Sequence, residues 1–401
     1  MTRTVAFVFF LFVFVYFLCS VLYVFSLTIW GKFFFKKKKW DLPVVTPLKK
    51  IAILIPAYKE DNVILSTAAN LLRLDYPSEL FDIYIIADSF TAATLQALRQ
   101  LPLQVLEVSF ENSTKIKSLN EAFKRIVKPY DIALICDGDN LLDKSFLKKI
   151  NNAFLKGAKA VQGRRVAKNL DTSFAILDAC SEAINHHIFR KGTNAIGLSS
   201  AICGSGMAFE FVTVRDTLSE IEAVGGFDKI LQLKILQQNI FIHYLDNALV
   251  YDEKVDSARV FAQQRKRWLS SQLIYSKKFF FPAFRELFKG NISYFNLAFA
   301  NYCLLPRALF LVTLPLLVLA GFYIGDNWGM SSIGLFLVYI FSLALALPAA
   351  LVNRDLLRAV FTIPRAITLL VRVSFQLKRS DQRFIHTPHT KTGVSHHNVL
   401  D

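Results

Sequence analysis

The chain has 401 residues and a formal net charge of +16, and 53% of the residues are hydrophobic, including 37 phenylalanines. This length suits one large or two modest domains, and the hydrophobic content is high for a soluble protein. Many lysines and arginines flank apolar segments, so anionic lipid headgroups are a simpler partner for the positive charge than nucleic acid. The composition therefore predicts a membrane protein that binds membrane lipids and no nucleic acid.

The first apolar run, from Val5 to Trp30, contains no charged residue and is long enough to cross a bilayer as a helix. A cleaved signal peptide is disfavoured, because the run is too long and no small-residue cleavage site follows it. Four lysines follow instead, at 36–39, and a lysine cluster after a span indicates a cytoplasmic stop. Residues 1–49 are therefore expected to form an N-terminal transmembrane helix with its basic stop.

From Lys50 onward, short apolar runs alternate with segments of helical spacing. The predicted strands are 51–55, 83–87, 104–108 and 132–136, and the predicted helices are 62–72, 91–99 and 118–126. This alternation is typical of an α/β fold whose parallel sheet is covered by helices on both faces. In such sheets, ligands bind at the carboxyl ends of the strands.

Polar side chains collect where these strands end. Tyr58 and Glu60 follow the first strand, Asp88 follows the second, and Asp137 and Asp139 follow the fourth. Asp is common at turns and helix N-caps, so each set alone has a structural alternative. Three sets at one edge of a sheet instead predict a ligand site. Carboxylates at this spacing can share Mg²⁺ or Mn²⁺, which prefer oxygen ligands and bridge carboxylates to phosphates.

Further along the chain, Gln264, Arg267 and Trp268 form a QxxRW pattern. Arginine offers a planar set of donors for phosphate oxygens, and tryptophan offers a flat apolar face for a sugar ring. A basic, membrane-proximal helix is an equal alternative for these residues taken alone. The chain has neither a GxxxxGK[ST] loop nor a GxGxxG after a strand, so a P-loop kinase and a dinucleotide dehydrogenase are unsupported.

Two more apolar runs, 308–325 and 330–353, predict transmembrane helices at about 305–325 and 331–352. The link between them lacks Lys and Arg whereas the flanks are basic, which places the central region and the tail in the cytoplasm. A hydrophobic hairpin inside a soluble core is the less favoured alternative.

Arg358, Arg365 and Arg372 recur at heptad spacing and predict an interfacial helix that Pro364 kinks or breaks. The tail that follows carries His386 and His389. These two histidines suggest either a metal site or a solvated tail packed on the catalytic domain, and the sequence leaves this choice open.

Several motifs lie in a fixed order between Lys50 and Ser276: Ile55-Pro56-Ala57-Tyr58-Lys59-Glu60, Asp88, Lys117-Ser118-Leu119-Asn120, Asp137-Gly138-Asp139, Gly204-Ser205-Gly206 and Gln264-x-x-Arg267-Trp268. This set resembles the family-2 glycosyltransferases, within them the membrane-embedded branch with the cellulose, chitin and hyaluronan synthases. The resemblance implies a GT-A type mixed, mainly parallel sheet in residues 50–276. Residues 277–401 would then supply interfacial helices, two transmembrane helices and a basic cytoplasmic tail.

The resemblance also implies a role for each motif. The residues that would bind the nucleotide-sugar are Pro56, Ala57, Tyr58, Glu60, Asp88, Lys117, Asp137, Asp139, Gln264 and Arg267. Asp137 and Asp139 would also serve Mg²⁺ or Mn²⁺, with Asp139 as the direct ligand. The residues that would line the acceptor site are Gly204, Ser205, Gly206 and Trp268.

The catalytic base departs from the family pattern, which usually has Glu-Asp before a helix. No such pair occurs between Gly206 and Gln264. We assign the base to Asp228, with Phe227 in place of the Glu, because helical apolar spacing follows it. A helix N-cap is the alternative role for Asp228. The competing acidic residues are Asp246, Asp252 and Glu253.

The expected reaction is an inverting displacement, in which Asp228 takes a proton from an acceptor hydroxyl while the metal and Arg267 stabilise the departing UDP. The expected partners are a UDP-sugar and a lipid-linked or polysaccharide acceptor at the cytoplasmic membrane face. A catalytically degenerate membrane scaffold is the alternative, and a nucleotidyltransferase ranks last. Three spans are few for a polymer channel unless the protein associates with itself, which favours the addition of one or a few sugars.

Overall fold

The computed structural model describes residues 2–35, 47–222, 225–375 and 389–394. The predicted lysine stop at 36–39 and His386 lie outside the described residues.

Eight strands in the described part of the chain form one mixed sheet, in the order β3-β2-β1-β4-β7-β6-β8-β5. The strands are β1 (Ile51–Tyr58), β2 (Phe81–Asp88), β3 (Gln104–Val108), β4 (Ile132–Ile135), β5 (Leu141–Leu142), β6 (Ala160–Ala167), β7 (Met207–Glu210) and β8 (Ile242–Asp252). The first four pair in parallel, β6 and β8 also pair in parallel, and β7 and β5 run antiparallel to their neighbours. The mixed, mainly parallel class predicted from the sequence is confirmed.

Helices cover both faces of this sheet. Those of the central region are α2 (Ile64–Leu71), α3 (Ala92–Arg99), α4 (Lys115–Arg125), α5 (Phe146–Leu155), α6 (Ser173–His186), α7 (Thr193–Ala195), α8 (Phe211–Ser219), α9 (Phe227–Gln237) and α10 (Ala258–Phe288). In β1, Ile53 and Ile55 pack with α2 and α5, whereas Ala52 and Leu54 pack with α4 and α9. Because both faces are buried, the strand reads as a continuous apolar run.

Three helices are long and apolar enough to cross a membrane: α1 (Thr2–Ile29), α13 (Arg307–Ile324) and α14 (Asp326–Ala346). They pack on one another, and the ring of Phe310 on α13 stacks on Tyr339 of α14 with centroids 4.8 Å apart. The predicted link at 326–329 is shorter than expected, since Asp326 already begins α14 and Gly325 alone separates the helices. The last span ends at Ala346, two residues before Pro348.

Four short helices complete the C-terminal region: α11 (Ile292–Phe295), α12 (Asn301–Cys303), α15 (Arg354–Val360) and α16 (Ile363–Phe375). Helix α15 ends and α16 begins just before Pro364. Proline lacks the N–H donor that a continuous helix would need there, so this break is expected. Arg358, Arg365 and Arg372 are exposed, whereas Ala366 is buried beside Phe174 and Phe261. One face of α16 thus packs on α6 and α10, and the arginines of α16 are exposed.

The first apolar helix, α1, contacts the α/β region through close backbone packing. Beyond Ile29 it continues as a π-helical turn, Trp30–Phe34, which packs against a second π-helical turn, His187–Gly192, after α6. The backbones approach so closely that a Cβ on Gly192 would lie 2.3 Å from the carbonyl oxygen of Leu27. Only glycine fits at such an approach.

We expect Gly192→Ala to lower the unfolding temperature of the full-length protein by several degrees, because the added methyl group must push the span away from the catalytic region. Circular dichroism in detergent measures this change. Gly334→Ala is the matched control, since a Cβ there meets nothing within 4 Å and the residue lies inside α14. Equal unfolding temperatures for the two variants would contradict the close packing.

Candidate active site

A pocket opens at the carboxyl ends of β1, β2 and β4, and residues of α10 also line it. The predicted site residues that line it are Pro56, Ala57, Tyr58, Glu60, Asp88, Asp137, Asp139, Gln264, Arg267 and Trp268. The structure therefore brings together residues from the two ends of the central region. Further lining residues include Lys115, Arg165, Asp252, Glu253, His389 and Thr390.

Asp88 offers an acceptor at one end of this pocket. Its carboxylate is buried, Oδ1 accepts a hydrogen bond from Ser89 Oγ at 2.9 Å, and Oδ2 has no partner among the described residues. The turns beside it are unusual, since Lys59 and Ser89 both have a left-handed backbone with φ near 54° and 60°. The Lys59 N–H donates to the Asp88 carbonyl at 3.1 Å, which ties the two strand ends together. An unsatisfied buried oxygen of this kind is suited to a ligand N–H or O–H donor.

Asp139 is the most enclosed of the predicted metal ligands, with 2% of its surface exposed. It accepts hydrogen bonds from the Glu253 N–H and the Asn140 amide, each at 3.2 Å. Burial raises the pKa of Asp139; the His389 charge opposes this, and the charges of Asp252 and Asp137 add to it. Because negative charge is concentrated in a buried place, this donor set fits a divalent cation.

Asp137 is paired with a lysine that the sequence analysis did not select. Its Oδ1 forms an ion pair with Lys115 Nζ, which also donates to the Gly204 carbonyl at 2.8 Å. Lys117, the predicted ligand, does not line the pocket, and its Nζ donates to the Asn112 carbonyl at 2.8 Å. Thr114 caps α4, so this helix begins at Lys115, three residues earlier than predicted. Side chains two positions apart on a helix point to different sides, so Lys115 and Lys117 cannot both face the pocket.

The three residues predicted to line the acceptor site, Gly204, Ser205 and Gly206, do not line this pocket. Ser205 is fully buried, and its Oγ accepts a hydrogen bond from the Asp137 N–H at 3.0 Å. Gly206 has a left-handed φ of 62°, and a Cβ there would lie 2.5 Å from a methyl group of Val250. The buried part of this loop thus holds the backbone of Asp137, and the acceptor role of the three residues stays a prediction.

Helix α10 carries the QxxRW residues to the opposite wall. Gln264, Arg267 and Trp268 line the pocket, and Trp268 is 47% exposed, so its ring is accessible to a ligand. Arg265 lies between them, pairs with Asp178 and stacks on the Trp268 ring at 4.3 Å. Burial lowers the pKa of Arg267, which marks its guanidinium as partly desolvated. Such a donor binds phosphate oxygens more strongly than one in water.

Asp228 is the second residue of α9, and Gly226 with φ of 64° precedes the helix as its N-cap. It does not line the pocket itself. Burial, with the charge of Asp228, raises the pKa of Tyr275 to about 12, so these two groups are neighbours. The ring of Phe227 lies 5.6 Å from Lys115 Nζ, which connects the start of α9 to the Asp137 pair. The base role of Asp228 stays a prediction.

The three competing acidic residues have other partners. Asp252 pairs with Arg165 at 2.5 Å and with Lys254 at 2.8 Å. Burial raises the pKa of Asp252, but these two cations outweigh it and lower the pKa to about 2. Asp246 lies 3.2 Å from Lys191 Nζ. Glu253 accepts hydrogen bonds from backbone N–H groups near the C-terminus. Asp252, which is stabilised as an anion in this way, is a weak base.

Residues 389–391 return to the pocket from the far end of the chain. His389 Nδ1 donates to Glu60 Oε1 at 2.9 Å, and the N–H groups of Thr390 and Lys391 donate to Glu253 at 3.0 and 2.8 Å. Burial lowers the pKa of His389, but Asp139 and Glu60 outweigh this and raise it to about 10. Sequence spacing gives no sign of a contact between residues 329 positions apart.

Residues 47–271 match the family described as "Glycosyltransferase like family 2". The chain is 23% identical to the probable glycosyltransferase YdaM of Bacillus subtilis over 67% of each chain. It is 25% identical to a beta-monoglucosyldiacylglycerol synthase of Synechocystis over 55% of this chain and 47% of that one, and so spans about half of this relative's length. Among solved structures, the mannosyltransferase PcManGT from Pyrobaculum calidifontis, in complex with GDP-Man and Mn²⁺, has a TM-score of 0.56 at 17% identity. That match covers 94% of this chain and 100% of the other, and it shows a shared GT-A fold.

We expect Glu253→Ala to speed amide hydrogen exchange at Thr390 and Lys391 by about tenfold or more, because both N–H groups lose their acceptor. Exchange measured by mass spectrometry on the purified protein reports the effect. Glu111→Ala, an exposed carboxylate away from the pocket, should leave these amides unchanged. Unaltered exchange in the Glu253 variant would show that this contact does not secure the segment.

Proposed function

Since the chain belongs to the family-2 glycosyltransferases, we propose that it moves a sugar, with inversion, from a nucleotide-sugar to a lipid or lipid-linked acceptor at the cytoplasmic face of a membrane. The observation that carries this proposal is the pocket itself, which is lined by Asp137, Asp139, Arg267 and Trp268 together. Carboxylates, a cation and an aromatic side chain in one pocket suit a ligand with a metal-bound diphosphate and a sugar ring.

The nucleoside end of the donor lies in this proposal beside Tyr58, Glu60 and Asp88, with Pro56 and Ala57 forming the floor. The unpaired Oδ2 of Asp88 accepts a hydrogen bond from the base or the ribose. We favour a UDP-sugar, as the resemblance to the membrane-embedded synthases implies. A purine nucleotide is the alternative outcome, since PcManGT was solved with GDP-Man.

The diphosphate lies between the Asp137–Asp139 pair and Arg267. A Mg²⁺ or Mn²⁺ ion held by these aspartates would neutralise charge on the leaving diphosphate. His389 is the additional group that this chain brings to the same place, since its ring contacts Glu60 and its charge acts on Asp139. Lys115 neutralises Asp137 and thereby orients it.

Asp228 acts as the base in this proposal and takes the proton of the acceptor hydroxyl as that oxygen attacks the anomeric carbon. One observation supports Asp228 over Asp252. Asp252 is stabilised as an anion by Arg165 and Lys254, whereas among the described residues the ion-pair neighbour of Asp228 is Lys229, at 3.8 Å.

The membrane region favours a lipid acceptor over a growing polymer. The three apolar helices bury their facing side chains against one another, among them Phe17, Phe310, Leu314 and Tyr339. Side chains packed in this way fill the space between these three described helices, which disfavours a polysaccharide channel there. The Synechocystis relative is named for a glycosylated diacylglycerol product, which is consistent with such an acceptor. A polysaccharide acceptor requires association with a second copy or a partner.

The test uses the purified full-length protein in lipid nanodiscs, supplied with a panel of UDP- and GDP-sugars and membrane-lipid acceptors. The protein should release a nucleoside diphosphate with one of these donors and form a glycolipid. Release should require Mg²⁺ or Mn²⁺ and disappear with a chelator. Nucleotide binding without turnover for every donor would instead favour the non-catalytic scaffold that Phe227 suggests.

Asp228→Asn should lower the rate of transfer by about 10²–10⁴-fold while nucleotide affinity stays close to that of the native protein, because the amide cannot accept the proton. The assay is nucleotide release with the preferred donor and acceptor, paired with calorimetric nucleotide binding. Asp216→Asn, at an exposed Asp paired with Arg215, is the matched control. Near-native turnover of the Asp228 variant would remove this residue from the base role.

Lys115→Ala should raise the KM for the donor by about tenfold or more, because Asp137 loses its partner and the backbone carbonyl of Gly204 loses a donor. Lys117→Ala should leave the KM unchanged, since that side chain does not line the pocket and its Nζ donates to the Asn112 carbonyl. The pair separates the position seen in the structure from the one predicted from the sequence. A larger effect at Lys117 would reverse the assignment.

A further inference from the structure

Arg190 is a buried arginine to which the described part of the chain supplies no anion. It lies in the π-helical turn His187–Gly192, and 7% of its surface is exposed. Its Nε is buried without a hydrogen-bond partner, and no described residue forms an ion pair with its guanidinium. A buried charge without a partner is strongly destabilising. An arginine held in this way therefore indicates a site for an anion from outside the chain.

The carboxylates of the surrounding elements are already shared by other cations. Asp246, on β8, lies 3.2 Å from Lys191 Nζ and 3.6 Å from a guanidinium nitrogen of Arg164. Glu182, on α6, also pairs with two cations of the buried network. Since each of these carboxylates is matched by two positive charges, neither of them neutralises Arg190.

His186, four residues before Arg190, adds a second donor without a partner. Its Nε2 accepts a hydrogen bond from the Arg165 N–H at 3.3 Å, whereas its Nδ1 is buried and has no partner among the described residues. Burial, together with the charge of Arg190, lowers the pKa of His186 to about 3, so the ring is neutral and carries its proton on Nδ1. Two neighbouring groups that only donate suit an anion with several oxygens, and the planar guanidinium matches phosphate.

The turn that carries Arg190 packs on the end of the first apolar helix. His187 Nε2 lies 3.0 Å from the Thr28 carbonyl, and a Cβ on Gly31 would lie 3.1 Å from the Gly192 nitrogen. The apolar segment 4–34 has 31 residues, so it is about 45 Å long as a helix, whereas the hydrocarbon core of a bilayer is about 30 Å thick. Because the α/β region packs on this end of the helix, the turn lies at the depth of the lipid headgroups.

On its other side, Arg190 approaches the donor pocket through Cys203. Arg165 lines that pocket, and its Nη1 donates to the Cys203 carbonyl at 3.2 Å. Burial raises the pKa of Cys203, and the charges of Arg190 and Arg165 oppose this rise, so both cations are neighbours of Cys203. Cys203 directly precedes Gly204, the first residue of the predicted acceptor loop. Arg190 thus lies between the end of α1 and the pocket.

We propose that Arg190 and His186 bind the phosphate group of a membrane lipid, and that this phosphate-bearing lipid is the acceptor. Two kinds of lipid offer both a phosphate and an oxygen nucleophile, namely a polyprenyl phosphate and a phospholipid with a hydroxylated headgroup such as phosphatidylglycerol. A neutral diacylglycerol lacks the anion that Arg190 requires. The acceptor role of the lipid rests on the proposed transfer reaction, whereas its binding at Arg190 does not.

Native mass spectrometry of the full-length protein in detergent tests the binding, with polyprenyl phosphate, phosphatidylglycerol and diacylglycerol titrated in separate arms. One of the two phosphate lipids should bind about tenfold or more tightly than diacylglycerol, and Arg190→Gln should remove this preference. Arg358→Gln is the matched control, because it removes the same charge from a side chain that is 79% exposed on α15. Equal binding of diacylglycerol, or an unchanged preference in the Arg190 variant, would overturn the proposal.

The unfolding temperature separates this binding role from a structural one. In the delipidated protein, Arg190→Gln should leave the unfolding temperature unchanged or raise it, because the native guanidinium is buried without a partner. A fall of several degrees would mean that a group within the chain holds Arg190, which would contradict a lipid site. Arg190→Lys keeps the charge without the planar fork, so it should bind the phosphate lipid with intermediate affinity.

Turnover tests the acceptor role. With the donor identified by the sugar panel, Arg190→Gln should raise the KM for the phosphate lipid about tenfold and leave the KM for the donor unchanged. Transfer to diacylglycerol in preference to both phosphate lipids would refute the acceptor role. Absence of nucleotide release with every donor would instead refute the transfer reaction, and the binding measurement distinguishes this outcome because it needs no turnover.

Discussion

The structure depends on how it neutralises a set of carboxylates buried at one edge of the sheet. Asp139, Asp252 and Glu182 are all enclosed, and isolated charges in such a place would cost several kcal/mol each. The cations that compensate come from distant elements: Arg165 from β6, Lys254 after β8 and His389 near the C-terminus. Charge balance at this edge is thus a reason for the central elements and residues 389–391 to assemble together.

Helix α6 connects this network of buried charges to the long apolar helices. Glu182 pairs with Arg165 and Lys254 on one side of α6, and the next helical turns carry Asn185 and His187 toward the spans. Arg307, at the start of α13, donates to Asn185 Oδ1 at 2.8 Å, and His187 Nε2 lies 3.0 Å from the Thr28 carbonyl. Helix α6 and the turn that follows it therefore contact both the pocket network and two of the long apolar helices, which fixes the pocket relative to those helices.

Sequence reasoning located four of the eight described strands, because a strand buried on both faces has an unmistakable apolar run, as in 51–55 and 132–135. Spans were equally visible from their length and lack of charge. Contacts that depend on a helix start or on the return of a distant segment could not be found this way. The Thr114 cap decided that Lys115 rather than Lys117 reaches Asp137, and His389 reaches Glu60 through tertiary structure alone. The burial of Ser205 against Asp137 and of Gly206 against Val250 was also not predictable, because a motif cannot show which side of a loop faces the pocket.

Phe227 is best understood through its effect on Lys115. A glutamate at this position would put a second carboxylate beside the lysine, which would then be shared between that group and Asp137. The aromatic ring, 5.6 Å from Nζ, offers a weaker cation–π contact, so the lysine is committed to Asp137 and the Gly204 carbonyl. Phe227 thus leaves the positive charge of Lys115 on the Asp137 side of this contact.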